Sequence, residues 1–210
     1  MNRFEFFDRI PAMSQRKRQQ IQWAYVLAKK YHDGQTRDSG ERYFEHVRGV
    51  ALILIAAGYT DAESIILAIL HDILEDTTIP LSLIEQLFGP RIARGVLAMS
   101  KSYGIEDPLT GFITHTKKRT KEEYFAGLRR AGKKSVRGKC ADRIHNLSDL
   151  VGEQAADSRW TPAKRLAQVE ETREWILPLA REFEPRFAER LEGLCAQIEA
   201  SARREMSLVG

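Results

Sequence analysis

Apolar residues recur at helical spacing along most of the chain, and alternating strand patterns are nearly absent. Residues 21–28 illustrate the pattern, with apolar side chains gathered on one face of a helix. Residues 103–116, which contain two glycines and a proline, break the periodicity and predict a loop. The expected helices lie at about 14–31, 44–57, 61–75, 80–87, 90–101, 120–131, 138–154, 161–181 and 184–205. The predicted fold class is therefore all-α.

A length of 210 residues suits one domain with a substantial core. We expect a core over residues 1–155 and a C-terminal helical extension of the same domain over residues 156–210. The apolar face of that extension consists of Trp175, Ile176, Leu179, Phe183, Phe187, Leu191 and Leu194. This face is expected to pack on the core, although part of it could pair subunits in a homo-oligomer.

Composition narrows the class of protein further. No run of about 18 apolar residues is present and the N-terminus lacks an apolar signal core, so we expect no membrane span and a cytoplasmic location. Cys140 and Cys195 are too few for a disulfide framework, and both are expected to be reduced core residues. The net charge of +4 is modest, and no helix-turn-helix pattern suggests nucleic-acid binding.

Charged residues interrupt the most apolar segment of the chain. Residues 65–74 are otherwise Ile, Leu and Ala, yet they contain His71 and Asp72, and Glu75 and Asp76 follow one helical turn later. Charged groups are almost never fully buried unless they are paired or bind a metal. A divalent metal ion is the compensation that this pattern favours over a hydrogen-bonded core histidine.

Two further residues complete a metal-ligand set. His46 begins an apolar run that ends at Gly58, and Asp142 lies in the helical pattern that follows Cys140. A catalytic metal commonly has three or four protein ligands and one position open to water. Imidazole and carboxylate ligands are compatible with manganese, iron, cobalt or zinc.

An ordered set of motifs resembles the hydrolase domain of RelA/SpoT homologues, a branch of the HD superfamily of metal phosphohydrolases. The set consists of Ala24-Tyr25, His32 to Arg37, Ser39 to Glu41, Tyr43, His46, His71-Asp72, Glu75 to Thr77, Phe88-Gly89, Ala141 to Arg143 and His145-Asn146. It spans roughly residues 21–150 and is most similar to the small single-domain alarmone hydrolases. The resemblance implies a helical HD bundle that hydrolyses the 3′-pyrophosphate ester of (p)ppGpp with Mn²⁺.

The resemblance also implies roles for individual residues. The metal would be bound by His46, His71, Asp72 and Asp142. Glu75 and Asp76 would orient the attacking water and handle its proton. The expected substrate contacts are Arg37 stacked on guanine, Tyr43 at the pocket wall, Asn146 near the ribose, and Lys139, which immediately precedes the motif around Asp142.

Several histidines and one departure from the family pattern bear on the pocket. We expect His32 to position the loop that follows it and His145 to support Asp142 from behind, whereas His115 matches no motif. Asp38 stands where long family members have lysine, which removes one cation near the substrate. The basic segment, residues 117–139, is either a solvated helix face or a clamp for the pyrophosphate groups.

Three functions therefore remain open. The favoured one is a (p)ppGpp 3′-pyrophosphohydrolase with a small-molecule nucleotide substrate. The second is an HD phosphohydrolase acting on ppApp, NADPH or an ordinary nucleotide. The third is a nucleotide-binding sensor without turnover, which retention of all six HD and ED residues disfavours.

Overall fold

The fold is seen in a computed structural model that describes residues 2–152 and 160–209. Twelve helices form most of it, which confirms the all-α prediction. They are α1 (Arg3–Asp8), α2 (Gln15–Tyr31), α3 (Tyr43–Ala56), α4 (Ala62–Leu70), α5 (Ile73–Asp76), α6 (Leu81–Phe88), α7 (Pro90–Met99), α8 (Lys121–Ala131), α9 (Lys133–Ser148), α10 (Pro162–Glu171), α11 (Leu177–Phe183) and α12 (Pro185–Val209).

Helix α4 lies at the centre of the core. Its residues from Ile65 to Leu70 are all apolar, as expected of a helix surrounded by others, and α2, α3, α7 and α9 all contact it. Its N-terminus is fixed by Asp61, whose carboxylate accepts a hydrogen bond from the Ser64 backbone N–H. Because α4 ends at Leu70, the helix delivers His71 and Asp72 directly from the middle of the core.

The C-terminal helices pack on this core as predicted. Helices α11 and α12 contact α9, and the side chains of Ile176, Leu179, Phe187 and Leu191 are buried. Trp175 stacks on Phe125 of α8 with ring centroids 5.1 Å apart. The apolar face of residues 161–205 is thus largely covered by the same chain.

The predicted single helix over residues 161–181 is interrupted by a π-helical segment, Thr172–Ile176. Leu177 donates its N–H to the Thr172 carbonyl, five residues earlier. Pro178 has no N–H for the Glu174 carbonyl and its ring would clash with that group in an ordinary helix. The wider turn before Pro178 accommodates the proline without ending the helix.

The prediction of a loop over residues 103–116 was wrong. Strands β1 (Ser102–Glu106) and β2 (Ile113–Lys118) form an antiparallel hairpin in which Tyr103 pairs with Lys117. The hairpin has no continuous alternation of apolar and polar residues, because most of β2 is exposed. Helix α1 was also absent from the sequence prediction.

Among residues 2–152 and 160–209, no helix combines the length and the apolar character needed to cross a bilayer.

Candidate metal centre

The predicted helix over residues 61–75 is interrupted at His71 and Asp72, two of the four predicted metal ligands. His71 ends α4, and Asp72 leaves the helix with φ −104° and ψ −1° before the short helix α5 begins. A continuous helix would turn consecutive side chains about 100° apart. The break instead allows His71 and Asp72 to face the same point.

Four predicted ligands meet at that point. His46 comes from α3, His71 and Asp72 from the break, and Asp142 from α9, and their ligand atoms all lie within 4.8 Å of one another. His71 Nε2 is 2.8 Å from Asp72 Oδ2 and 3.6 Å from Asp142 Oδ1, whereas His46 Nε2 is 3.3 Å from Asp142 Oδ1. Ligands held about 2.0–2.2 Å from one ion are separated by roughly 3–4 Å. The group can therefore hold a metal ion.

The state of His71 supports this conclusion. Its Nδ1 lies 2.7 Å from the Ala68 carbonyl and must donate to it, which leaves Nε2 as a lone pair in the neutral imidazole. Nε2 is buried and has no hydrogen-bond partner in the described part of the chain. A lone pair facing two carboxylates is repulsive unless a cation lies between them.

The pKa of His71 indicates the same need for positive charge. Burial lowers it, but the charges of Asp72 and Asp142 outweigh burial and raise the pKa well above its ordinary value. Without a metal ion, the imidazole would therefore bind a second proton. A proton and a metal ion thus compete for one position.

Both carboxylates are held in place by other side chains. Asp142 accepts hydrogen bonds from Lys139 Nζ at 2.6 Å and from Asn146 Nδ2 at 2.7 Å, and Asp72 accepts one from the Tyr43 hydroxyl at 2.7 Å. Burial raises the pKa of Asp142, but the Lys139 charge and the interactions with His46 and His71 together outweigh burial and keep the pKa well below the ordinary value. These contacts leave both groups ionised and oriented, as metal ligands require.

His145 does not support Asp142 in the predicted way. Its Nδ1 lies 3.2 Å from Nδ1 of His46 and 3.7 Å from Asp149, so it supports a histidine ligand instead. Burial, followed by the charge of His46, lowers the pKa of His145 to about 4. Gly49 on α3 makes room for this ring, because a Cβ at position 49 would lie 2.2 Å from His145 Nε2.

Glu75 and Asp76 lie outside the four-residue group but close to it. Glu75 accepts a hydrogen bond of 2.8 Å from the backbone N–H of Lys101, at the start of the hairpin. Burial raises the pKa of Glu75, and burial followed by the Asp72 charge raises that of Asp76. Both carboxylates are therefore better proton acceptors than ordinary surface acids.

The loop after α2 is connected to Asp76 through side chains. His32 Nδ1 lies 2.8 Å from Gln35 Oε1, and Gln35 Nε2 donates to the Asp76 carbonyl at 2.7 Å. The expectation that His32 positions its loop agrees with this chain of contacts. Gln35 matched the family motif, but its link to the backbone of Asp76 was not foreseen.

A cavity of about 650 Å³ adjoins the four-residue group. Tyr43, Lys139 and Asn146, which hold the two carboxylates, line it together with Arg37. Arg37 forms an ion pair with Asp149 and donates to Asn146 Oδ1 at 2.6 Å. All four predicted substrate contacts therefore share one cavity, although Lys139 is already bound to Asp142.

Other lining residues were not predicted. Arg143 donates to Gln168 and Glu171 from the C-terminal region, and Trp160 contributes an aromatic wall. Lys101 also lines the cavity, and its ammonium has no hydrogen-bonded or ionic partner within residues 2–152 and 160–209. Arg143 belonged to a recognised motif, whereas nothing in the local sequence around Trp160 indicates a pocket.

The basic segment, residues 117–139, is not a clamp over this cavity. Lys139 is its one member among the lining residues of the cavity in the described structure. Lys134 pairs with Asp61 and Glu63, and Arg137 pairs with Glu184. The prediction of a substrate clamp is therefore wrong for the segment as a whole.

Comparison with known proteins places this arrangement in a family. The family model of the HD domain matches residues 24–172, well over half of the chain. The chain belongs to the HD-domain family. Its matched region begins in α2, contains all four members of the metal-ligand group, and ends just after α10.

This HD domain resembles RelA/SpoT-type sequences, as predicted. The bifunctional (p)ppGpp synthase/hydrolase SpoT of Escherichia coli K12 is 37% identical over 163 residues, covering 76% of this chain and 21% of SpoT. The GTP pyrophosphokinase rsh of Brucella suis biovar 1 is 38% identical over 160 residues, covering 75% and 19%. The chain spans about a fifth of the length of these relatives.

A solved structure shares the fold over nearly its whole length. It is a metazoan orthologue of SpoT that hydrolyses ppGpp, and it matches with a TM-score of 0.69 at 23% sequence identity. The match covers 89% of this chain and 97% of that chain.

Proposed function

We propose that this protein is a metal-dependent phosphohydrolase that removes the 3′-pyrophosphate of (p)ppGpp, releasing GDP or GTP and pyrophosphate. The observation that carries the proposal is the buried His71 Nε2, which faces Asp72 and Asp142 without a hydrogen bond. A proton or a metal ion can occupy that position, and the convergence of four ligand side chains there supports a metal ion. The activity named for SpoT and for the metazoan orthologue gives the reaction and its substrate.

His46, His71, Asp72 and Asp142 would hold the ion, which we propose to be Mn²⁺. A set of two imidazoles and two carboxylates is compatible with several divalent transition metals. Carboxylate oxygens are hard ligands, and hard ligands suit manganese better than soft ligands such as thiolates do. When bound there, a divalent ion supplies Lewis acidity toward water and phosphate oxygens. A cytoplasmic location would suit both this metal site and the two free cysteines.

Glu75 is the proposed proton acceptor. The Lys101 N–H fixes one of its oxygens, and burial raises its pKa toward the range in which a carboxylate works as a general base near neutrality. Asp76 is proposed to orient the attacking water. Tyr43 holds Asp72 through its hydroxyl, so the carboxylates around the reacting phosphate keep distinct positions.

The adjoining cavity is proposed to bind the nucleotide. Arg37 is anchored by Asp149 and Asn146, which keeps its planar guanidinium in a fixed orientation suited to stacking on a base. Lys101 offers an unpaired ammonium for the phosphates. Because Trp160 and Glu171 also line the cavity, the proposed core, residues 1–155, and extension, residues 156–210, would build one site together.

The test is a substrate panel with chelator-treated protein reloaded with Mn²⁺. We expect ppGpp to yield GDP and pyrophosphate, with both products quantified by ion-exchange chromatography. Asp72→Asn should abolish the reaction, whereas Asp33→Asn, the same chemical change at an exposed position, should not. Absence of GDP from ppGpp with the metal-loaded wild-type protein would refute the proposal.

A second candidate is an HD phosphohydrolase for another nucleotide. Asp38, which replaces a lysine of long family members, lines the cavity with three further acids, Glu41, Asp149 and Glu171. Such a wall can favour adenine or a less anionic substrate. The same panel therefore contains ppApp, NADPH and dGTP, and faster turnover of one of these identifies it as the substrate. Binding of ppGpp with no product from any member would instead indicate a sensor.

A further inference from the structure

A second cavity, of about 700 Å³, opens at the other end of α9 from Asn146. Helices α4, α7, α8 and α9 contribute to its lining, and none of its lining residues lines the cavity beside the metal centre. Lys134 at its edge and Asp142 of the metal centre are eight residues apart on α9, or about 12 Å along the helix axis. The two cavities are thus distinct but share one helix.

The lining of this cavity is strongly basic. Seven arginines and lysines face it together with one carboxylate, Glu63. Glu63 binds Arg91 Nε at 2.7 Å and Lys134 Nζ at 2.8 Å. Asp61 provides a second carboxylate for Lys134.

The remaining cations have few acidic partners. Arg137 pairs with Glu184, and Arg119 donates to the carbonyls of Leu97 and Ser100, which carry no charge. With Asp61, Glu63 and Glu184 set against seven cations, four positive charges remain uncompensated.

Three of these cations come from three different helices. Arg94 of α7, Arg130 of α8 and Lys133 of α9 are exposed side chains, and they have no acidic partner in the described regions. Each helix therefore contributes one unpaired charge to the same cavity. Like charges brought together in this way repel one another unless an anion lies between them.

The N-terminus of α9 adds hydrogen-bond donors to the cavity. Gly132 occupies the N-cap position with φ +86°, and because glycine has no side chain, the first turn has no side-chain cap. Ser135 in that turn is only 2% exposed, and its hydroxyl has no hydrogen-bond partner in the described structure, although it lines the cavity. Free backbone N–H groups and a buried hydroxyl at a helix N-terminus are donors for phosphate oxygens.

We propose that this cavity binds a polyphosphate anion, either inorganic or the phosphate chain of a nucleotide. Linked phosphates carry a negative charge on each group, and their length matches cations that are spread over three helices. The unpaired cations of this site come from three helices around one cavity, whereas an RNA strand would track a continuous basic face. The site does not depend on a metal ion or on turnover at His71 and Asp72.

Binding of inorganic tripolyphosphate to the metal-free full-length chain tests the proposal. The cavity variant combines Arg94→Gln, Arg130→Gln and Lys133→Gln. The matched control combines Arg16→Gln, Lys17→Gln and Arg190→Gln, which removes three exposed positive charges far from the cavity in sequence. Calorimetric titration should give one fewer tripolyphosphate per chain for the cavity variant and the wild-type number for the control.

Two further arms identify the source of the phosphates and guard against misfolding. If ATP or GTP binds at least tenfold more tightly than tripolyphosphate, the ligand is a nucleotide. If the three bind with equal affinity, the cavity recognises the phosphate chain alone. Arg94→Gln by itself should already weaken binding if the triple variant does not fold. Equal loss in cavity and control variants would overturn the proposal, as would tighter binding of a single-stranded RNA 12-mer that the cavity substitutions abolish.

Discussion

The two cavities at the ends of α9 differ in how many of their cationic side chains pair with carboxylates of the protein. Beside the metal centre, Arg37, Lys139 and Arg143 are each bound to a carboxylate of the protein itself. At the other end, Arg94 and Lys133 belong to a set of cations that have no such partner in the part of the chain that the structure describes. Of the cations that line the first cavity, Lys101 alone lacks such a partner among residues 2–152 and 160–209, whereas four positive charges remain uncompensated at the second cavity in the same residues.

The cavity beside the metal centre is therefore preorganised by contacts within the protein, whereas the second cavity is the proposed binding site for an anion. Buried ion pairs hold metal-ligand carboxylates at fixed positions, and removal of one partner leaves a buried charge unpaired. Exposed cations without partners contribute little to the folded state. Substitutions should therefore affect stability and metal binding strongly in the first region and hardly at all in the second.

The largest effect is expected from Asp142→Asn. The substitution removes a ligand and leaves the buried Lys139 ammonium without its partner, so the free energy of unfolding should fall by about 3–5 kcal/mol. Urea denaturation of the metal-free protein measures this loss, and Asp33→Asn serves as the control. A loss below about 1 kcal/mol would mean that the pair does not hold the centre together.

A smaller but still large effect is expected from Glu75→Gln. Loss of the proton acceptor should reduce kcat by about 10²–10⁴-fold while the metal content stays at the wild-type level. Steady-state kinetics and metal analysis on one preparation separate these two outcomes. Glu85→Gln, on the exposed side of α6, is the matched control. Loss of both bound metal and activity in Glu75→Gln would instead indicate that Glu75 is a metal ligand.

Asn146→Ala should weaken metal binding by about 10–100-fold, because Asn146 orients Asp142 without being a ligand itself. Competition with a fluorescent chelator measures the affinity for Mn²⁺. Ser148→Ala, also on α9, removes a hydroxyl bonded to the Ile144 carbonyl and should leave the affinity unchanged. Equal effects of both substitutions would point to a general disturbance of α9.

The smallest effect is expected from the triple substitution of Arg94, Arg130 and Lys133 to Gln. Its free energy of unfolding should differ from that of the wild type by no more than about 0.5 kcal/mol, because these exposed cations lack acidic partners. Urea denaturation under the conditions used for Asp142→Asn allows direct comparison. A loss of several kcal/mol would show that both ends of α9 are structural.

Helical periodicity predicted most of the fold because long amphipathic segments leave a strong pattern. The break after Leu70 left no such sign, since the apolar residues on both sides of His71 and Asp72 continue the helical pattern and only tertiary contacts turn Asp72 out of the helix. The hairpin was missed for the opposite reason. Its second strand, Ile113–Lys118, is mostly exposed and therefore lacks the buried alternation by which strands are recognised.

The convergence of the four proposed metal ligands was predictable because His71-Asp72 in an apolar segment requires compensation, and a family motif named the partners. The surroundings were less predictable. The contact between His145 and His46 depends on how α3 and α9 approach each other. Likewise, basic residues 117–139 form one cluster in the sequence, but helical geometry distributes them to different neighbours.

Because α3 and α9 approach closely, position 49 has no space for a side chain unless the His145 ring moves. A single methyl group there would occupy the space of the His145 ring, which cannot rotate away without leaving His46. Every residue type other than glycine carries that carbon. Position 49 therefore offers a way to disturb the contact between His145 and His46 while every charged side chain of the centre keeps its identity.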